Sequence, residues 1–356
     1  MAKTAVCLRV PKKQGEKAIA LTAKMGLLDR ALGIGREGDE LCVPLSRQPN
    51  EAELTTLKQQ LPELQLATGS FEEKKPPSET LQQALTGKLP PELVAILPQA
   101  FDTIGDIVII DIPPQLKPHQ NQIGEAILQT HPNIKTVLAK AGDISGVYRI
   151  RDYTFIAGTH KTRTIHREFG CSYHVDVAKA YFSPRLSHEH ERVASLVQPG
   201  EVVADLFAGV GPFSVLIGKR CSEAKVYAVD LNPDAVELLK INVRVNRVDN
   251  RVFPILADAR EIALGKLHGV ADRVIMNLPE TAIDFVDAAC NAIKPEGGVV
   301  HFFGFVRSPD TIANLEQRFS EAVKRNGRKV EAFLFVRSVR ETAPFESQIV
   351  LDAKIR

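Results

Sequence analysis

One decapeptide constrains this chain more than any other stretch: Asp205-Leu-Phe-Ala-Gly-Val-Gly-Pro-Phe-Ser214. It lies between the apolar runs Val202-Val203-Ala204 and Val215-Leu216-Ile217, so it reads as strand, tight turn, helix. Gly209 and Gly211 let the backbone turn sharply and approach a ligand that a Cβ would push away. The first N–H groups of the following helix lack partners and face that ligand. A dinucleotide turn has its third glycine where this chain has Ser214, and the strand here ends in Asp205. Such a carboxylate opposes a pyrophosphate and suits an ammonium group. The pattern D-x-F-x-G-x-G, with Phe207 at its centre, therefore fits a methionine-type α-amino group. A plain βα turn can carry the same glycines, so residues further along decide the matter.

From about residue 178 the pattern becomes βαβα. A helix is predicted over 187–197, a strand ending at 205, then strands over 225–230, 251–256, 272–277 and 298–303. Helices are predicted over 233–246, 285–293 and 311–325. Strands over 330–336 and 348–353 have no helix between them and predict an antiparallel edge pair. The fold class is α/β, an open doubly wound Rossmann-like sheet with helices on both faces. Ligands of such a sheet bind outside the carboxyl ends of its strands, and four strands here end in Asp205, Asp230, Asp258 and Asn277. Asp230 has the spacing from Gly211 at which a carboxylate meets ribose hydroxyls. Asp258-Ala259 suits an adenine amino group. An amine, a ribose and an adenine without phosphate describe S-adenosylmethionine, and Asn277-Leu278-Pro279 sets an amide and carbonyls beside its methyl group.

The N-terminal half is less regular. Strands over 5–10 and 40–45 and a helix over 15–28 make a small α+β module, assigned residues 1–66. Its Lys3, Arg9, Lys12, Lys13 and Lys17 form either a solvated face or a docking face for an anionic polymer. The polar, proline-rich stretch around Gly69–Ser78 reads as a linker, assigned 67–92. An α+β middle unit, 93–177, follows, with strands over 106–112 and 136–138 and a helix over 119–129. Residues 147–156 and 166–177 alternate apolar and polar and predict a hairpin with one wet face. That face carries Arg149 and Arg151, with Lys161, Arg163 and Arg167, as solvated charges or as phosphate and base contacts.

Composition narrows the function. Net charge is +2, so contact with nucleic acid has to come from a local patch. Five scattered cysteines without a C-x-x-C pair argue against zinc and a disulfide framework, and fit a reducing cytoplasm. No apolar run approaches the ~18 residues of a membrane span, and the N-terminus lacks a signal peptide's apolar segment. No metal is called for.

The segment Tyr181-Phe-Ser-Pro-Arg185-Leu-Ser-His-Glu189-His-Glu-Arg192, the glycine turn and Asn277-Leu-Pro together resemble the archaeal–eukaryotic tRNA (guanine-37-N1)-methyltransferase family. The likeness extends over nearly the whole chain, including Tyr148-Arg149-Ile-Arg-Asp. It implies three domains: an N-terminal module that reads the tRNA outer corner, a middle domain, and a class I methyltransferase domain over 178–356. It also implies a tRNA with G37 as partner and S-adenosylmethionine as methyl donor. Guanine N1 carries a proton that a base must remove, and charge then builds on O6. The resemblance gives Glu189 as the base and Arg149 as the O6 partner, with Asn277 and Pro279 in the catalytic loop. His190, Asp230, Leu231, Asp258, Ala259 and Asn277 match cofactor positions, and Tyr181 and Arg185 shape the base pocket beside Arg151. The alternative is a wyosine-pathway enzyme acting at the same tRNA position, by methylation of a tricyclic guanine or by aminocarboxypropyl transfer. A monomer is expected.

Overall fold

Alternating residues at the N-terminus build a long strand, β1 (Ala2–Pro11), whose Leu8 and Val10 are buried on one face and Cys7 on the other. The computed structural model describes residues 2–73, 79–142 and 146–356 and divides into two compact units, Met1–Thr80 and Leu81–Arg356. In the first unit α1 (Gly15–Lys24), β2 (Gly35–Glu37), β3 (Glu40–Pro44), α2 (Glu51–Gln60) and β4 (Gln65–Glu72) follow β1, and the antiparallel sheet has the order β2-β3-β1-β4. Ala18, Leu57 and Leu61 pack with Leu8, Val10 and Val43. Helix α2, absent from the sequence reading, starts at a capping box: Glu53 N–H donates to the Asn50 side chain and Asn50 N–H to the Glu53 carboxylate, each at 2.8 Å.

The linker expected over 67–92 needs correction at both ends. Residues 67–72 belong to β4, paired with β1 from Ala2↔Glu72 to Arg9↔Gln65. Gly69, expected to open the linker, is a strand position against which the Phe71 ring packs, 3.1 Å from where a Cβ would stand. Residues 81–85 form α3 (Leu81–Leu85), with Leu81, Ala84 and Leu85 buried. The proline-rich centre of the expectation, 74–78, lies outside the described residues.

The second unit continues with α4 (Pro91–Ala95), β5 (Asp102–Ile104), β6 (Ile107–Ile110), α5 (Gln120–Thr130), β7 (Thr136–Lys140) and β8 (Tyr153–Gly158), in a sheet ordered β5-β6-β7-β8. Strands β6 and β7 are parallel with α5 as their crossover, and β6 is buried throughout. The predicted hairpin is different from the observed one. Strand β8 begins only at Tyr153 and pairs with β7. The hairpin consists of β9 (Arg163–Glu168) and β10 (Cys171–Asp176), closed by Phe169-Gly170 with both residues at positive φ. Arg149 and Arg151 therefore precede β8 and are not on a wet strand face.

The remaining elements are α6 (Ser187–Leu196), β11 (Val202–Asp205), α7 (Pro212–Arg220), β12 (Lys225–Asp230), α8 (Pro233–Val245), β13 (Val252–Leu256), α9 (Ala259–Leu264), β14 (Arg273–Met276), α10 (Val286–Ala292), β15 (Gly298–Arg307), α11 (Ile312–Arg325), β16 (Val330–Ala343) and β17 (Glu346–Ile355). They form a seven-stranded sheet of order β13-β12-β11-β14-β15-β17-β16, parallel from β13 to β15 and antiparallel beyond. This is the doubly wound architecture predicted, with β16–β17 as the antiparallel pair and β16 at the edge. Two apolar cores cover its faces, one around Phe213, Leu216 and Val226, the other around Phe302, Phe319 and Val274. Two asparagines of the α8 region serve hairpin strand β10. Asn242 accepts from His174 N–H at 2.6 Å and donates to His174 O at 3.2 Å, and Asn246 does the same with Ser172 at 2.9 and 2.7 Å.

Candidate active site

The strand order reverses at β11, which has β12 on one side and β14 on the other, and a crevice opens beyond the carboxyl ends there. A cavity of about 510 Å³ occupies it. Its wall includes Phe207, Gly209, Asp230, Leu231, Asp258, Ala259, Asn277, Pro279 and His190, and further out Tyr181, Arg185, Arg149 and Arg151. Residues scattered over the sequence thus meet in one place. Glu189, Asp205 and Gly211 are not in the wall.

The two glycines have different tasks. Gly209, at φ 56°, lies in the wall, and a Cβ there would meet only Tyr181 O at 3.6 Å. Gly211, at φ 89°, caps α7, and a Cβ would stand 2.3 Å from Leu239 Cδ1. Its smallness serves packing of helix on helix rather than ligand approach, which corrects the sequence reading.

The carboxylates are likewise differentiated. Asp205 is fully buried; Oδ2 accepts from the Ser214 hydroxyl at 2.6 Å, and Oδ1 has no partner among the described residues. Burial, reinforced by the nearby Asp230 charge, pushes this carboxyl up to about 7. Asp230 takes the Gly209 N–H on Oδ2 at 2.6 Å and the Asn232 N–H on Oδ1 at 2.8 Å, so it holds the glycine turn in place. Burial raises its carboxyl despite those bonds. Asp258 caps α9 through Arg260 N–H at 2.8 Å while also facing the cavity. Asn277 Oδ1 is a second buried acceptor without a partner among the described residues. It follows β14, which is paired with β11 at Asp205↔Ile275. An unsatisfied acceptor in the wall, Asn277 Oδ1, with the Asp205 carboxylate buried behind it on the adjacent strand, fits an ammonium donor. Asp230 fits a diol, and the exposed Leu231 side chain offers an apolar surface to a ring. The residues present therefore suit S-adenosylmethionine.

His190, buried in the wall, shares Nδ1 with Glu168 Oε1 at 2.7 Å and meets the Phe213 ring edge-on at 4.6 Å. Burial alone raises the Glu168 carboxyl, but hydrogen bonds from His166 and His190 outweigh it and hold the group at about 2. On the outer side Arg149, at φ 55°, forms a two-pronged pair with Glu280, Nη1–Oε2 at 2.6 Å and Nη2–Oε1 at 3.0 Å. Arg185 pairs with Asp102.

Glu189 departs from expectation. Its side chain is fully buried, with Oε2 accepting from Arg192 Nε–H and Oε1 from Arg337 Nη2–H, both at 2.8 Å. Arg192 continues to Asp352, which meets His301 Nδ1 at 2.7 Å. In this structure Glu189 is an anion clamped by two guanidinium groups and turned from the cavity, whereas its neighbour His190 faces it. The sequence reading also missed Glu280, Arg340 and Gln348, all in the wall. The signal for Gln348 was a polar residue opening the apolar run Ile349-Val350-Leu351.

A reversing parallel sheet, a glycine turn braced by a carboxylate and a pocket with acceptors for an amine and a diol define a class I methyltransferase. Family models described as the TRM5/TYW2 methyltransferase domain, the TYW2 N-terminal domain and the tRNA methyltransferase 5 N-terminal domain match residues 164–331, 81–162 and 7–53. The tRNA (guanine(37)-N(1))-methyltransferase Trm5b of Pyrococcus abyssi is 41% identical over 300 residues, 84% of each chain. The complex of aTrm5 and tRNALeu superposes with a TM-score of 0.68 at 32% identity over 99% of this chain and 100% of that one. Methanocaldococcus jannaschii Trm5 in complex with adenosine gives 0.64 at 32% identity, covering 98% and 99%. The chain belongs to the tRNA (guanine(37)-N(1))-methyltransferase family.

Proposed function

We propose that this protein transfers the methyl group of S-adenosylmethionine to N1 of guanine 37 in tRNA. The observation that carries the reading is the cavity itself, where amine and diol acceptors at one end meet arginines at the other, in a chain of this family. S-Adenosylmethionine supplies an electrophilic methyl group when bound. Asn277 holds its amino group from the wall, with the buried Asp205 carboxylate behind it, Asp230 its ribose, and Asp258, Ala259 and Leu231 its adenine. Arg149 donates to O6 as charge develops there, exchanging one prong of its Glu280 pair for the base. Glu189 removes the N1 proton after the half-exposed Arg337 is drawn off by the incoming polyanion; Arg192 then orients the freed carboxylate. Tyr181, Arg185, Arg151 and Pro279 shape the base site.

The same proposal has three parts to the chain: residues 1–66 and 93–177 dock tRNA, and 178–356 carry the chemistry. It also has the protein working as a monomer in the cytoplasm. The five unpaired cysteines support that compartment, and no helix among the described residues is long and apolar enough to cross a membrane.

Incubation with labelled cofactor and unmodified tRNA bearing G37, followed by digestion, should yield 1-methylguanosine and S-adenosylhomocysteine. Methylthioadenosine as by-product would instead establish aminocarboxypropyl transfer, the chemistry of the wyosine alternative.

A further inference from the structure

Gln348 of β17 is fully buried, yet it lies in the wall of the active-site cavity. Its Oε1 accepts from Arg340 Nε–H at 2.9 Å, while its Nε2 has no partner among the described residues. The arrangement has only one orientation. Arginine carries donors and no acceptor, so the amide oxygen must face Arg340, which leaves the NH2 group as the free donor of a side chain in the cavity wall. Arg340 is in turn fixed by Ser183 Oγ at 3.1 Å and Tyr181 OH at 3.4 Å. A buried amide donor left unpaired is costly, so the site is complete only when an acceptor arrives.

The position identifies that acceptor. Gln348 sits on the β15–β17 side of the cavity, away from the β11–β13 tips that carry Asp205, Asp230 and Asp258. Its register partner Phe305 lines the same wall. A neutral donor at zero exposure beside an aromatic ring suits a base carbonyl that has left its stack. Guanine O6 has two lone pairs, and Arg149 needs only one. An adenine would present its amino group here, donor against donor.

Building on the function proposed above, we infer that Gln348 donates to O6 of the target purine and makes the site select a 6-oxo base over a 6-amino base. It is a specificity residue, and Arg340 is the residue that positions it.

The test uses the full chain with S-adenosylhomocysteine bound, so that no turnover occurs. Affinity is measured for tRNA carrying guanine, 2-aminopurine or 7-deazaguanine at position 37; 2-aminopurine lacks O6, and 7-deazaguanine lacks only N7. In Gln348→Met, which keeps the side chain's length and loses the donor, the preference for guanine over 2-aminopurine should fall about tenfold, the worth of one hydrogen bond. Gln348→Glu keeps the Arg340 contact and should lose the preference equally. S-Adenosylhomocysteine affinity and the melting temperature report whether the variants are folded. An unchanged guanine to 2-aminopurine ratio overturns the inference, as does a loss confined to the ratio of guanine to 7-deazaguanine. If the wild-type protein methylates no G37 tRNA, the function proposed above fails; if it does so and the ratio is unmoved, only the role of Gln348 fails.

Discussion

Asp205 shows how a single buried group ties stability to ligand binding. Its carboxyl stands at about 7 in the fold against an ordinary 3.8, so the folded state holds a proton that the unfolded chain releases. The stability that this proton contributes is therefore fully present below about pH 4 and declines as pH rises towards 7. The melting temperature of the ligand-free protein should fall over that window for this reason, and Asp205→Asn should flatten that part of the profile. Cofactor affinity should move the opposite way, strengthening through pH 7 as the carboxylate ionises behind the amino-group site, and Asp205→Asn should weaken it severalfold. Scanning calorimetry across pH 4–7 measures the first effect and titration calorimetry across pH 6–8 the second. Glu189 gives a second residue-level outcome. Glu189→Gln leaves Arg192 and Arg337 facing a neutral amide, at a cost of about 3 kcal/mol, near the lower end for a broken buried pair because Arg337 is half exposed. Single-turnover rates of the folded variant should also fall at saturating tRNA and cofactor, while Glu280→Gln leaves them near the wild-type value. The reverse pattern assigns proton removal to Glu280, the carboxylate already paired with Arg149 in the wall.

Among the elements, the turn between β11 and α7 separates two uses of glycine. Gly211→Ala meets Leu239 and a left-handed backbone together, so it should lower the melting temperature more than Gly209→Ala. Gly209→Ala makes only an ordinary contact with Tyr181 O and costs chiefly the left-handed conformation, about 1–2 kcal/mol, but it should harm cofactor affinity more because it lies in the wall. This turn was legible because glycines, strand-end carboxylates and apolar periodicity all mark it. Strand β4 was not, since Gly69-Ser70 has turn chemistry and only the packed Phe71 ring explains the glycine. The β9–β10 hairpin was displaced because alternation over 147–156 mimics a strand, whereas Arg149 turns left-handed there. The orientation of Glu189 and the place of Gln348 in the wall escaped for a related reason: spacing places a residue on an element, but the direction of its side chain depends on arginines far away in sequence, Arg337 and Arg340.

At the level of the molecule, the unit Leu81–Arg356 contains every residue of the cavity. Residues 81–356 alone should therefore bind S-adenosylmethionine with unchanged affinity, and their kcat/KM for tRNA should fall at least tenfold if the N-terminal unit docks the polymer. Equal kcat/KM values would remove any such role from that unit. The asparagines of α8 have a further effect at this scale. A strand with free peptide groups along its border is a template on which a second chain can lay itself down. Asn242 and Asn246 occupy those groups at Ser172 and His174 with amides that imitate a neighbouring strand. The hairpin is thereby blunted against self-association, and this protection against aggregation comes from a helix.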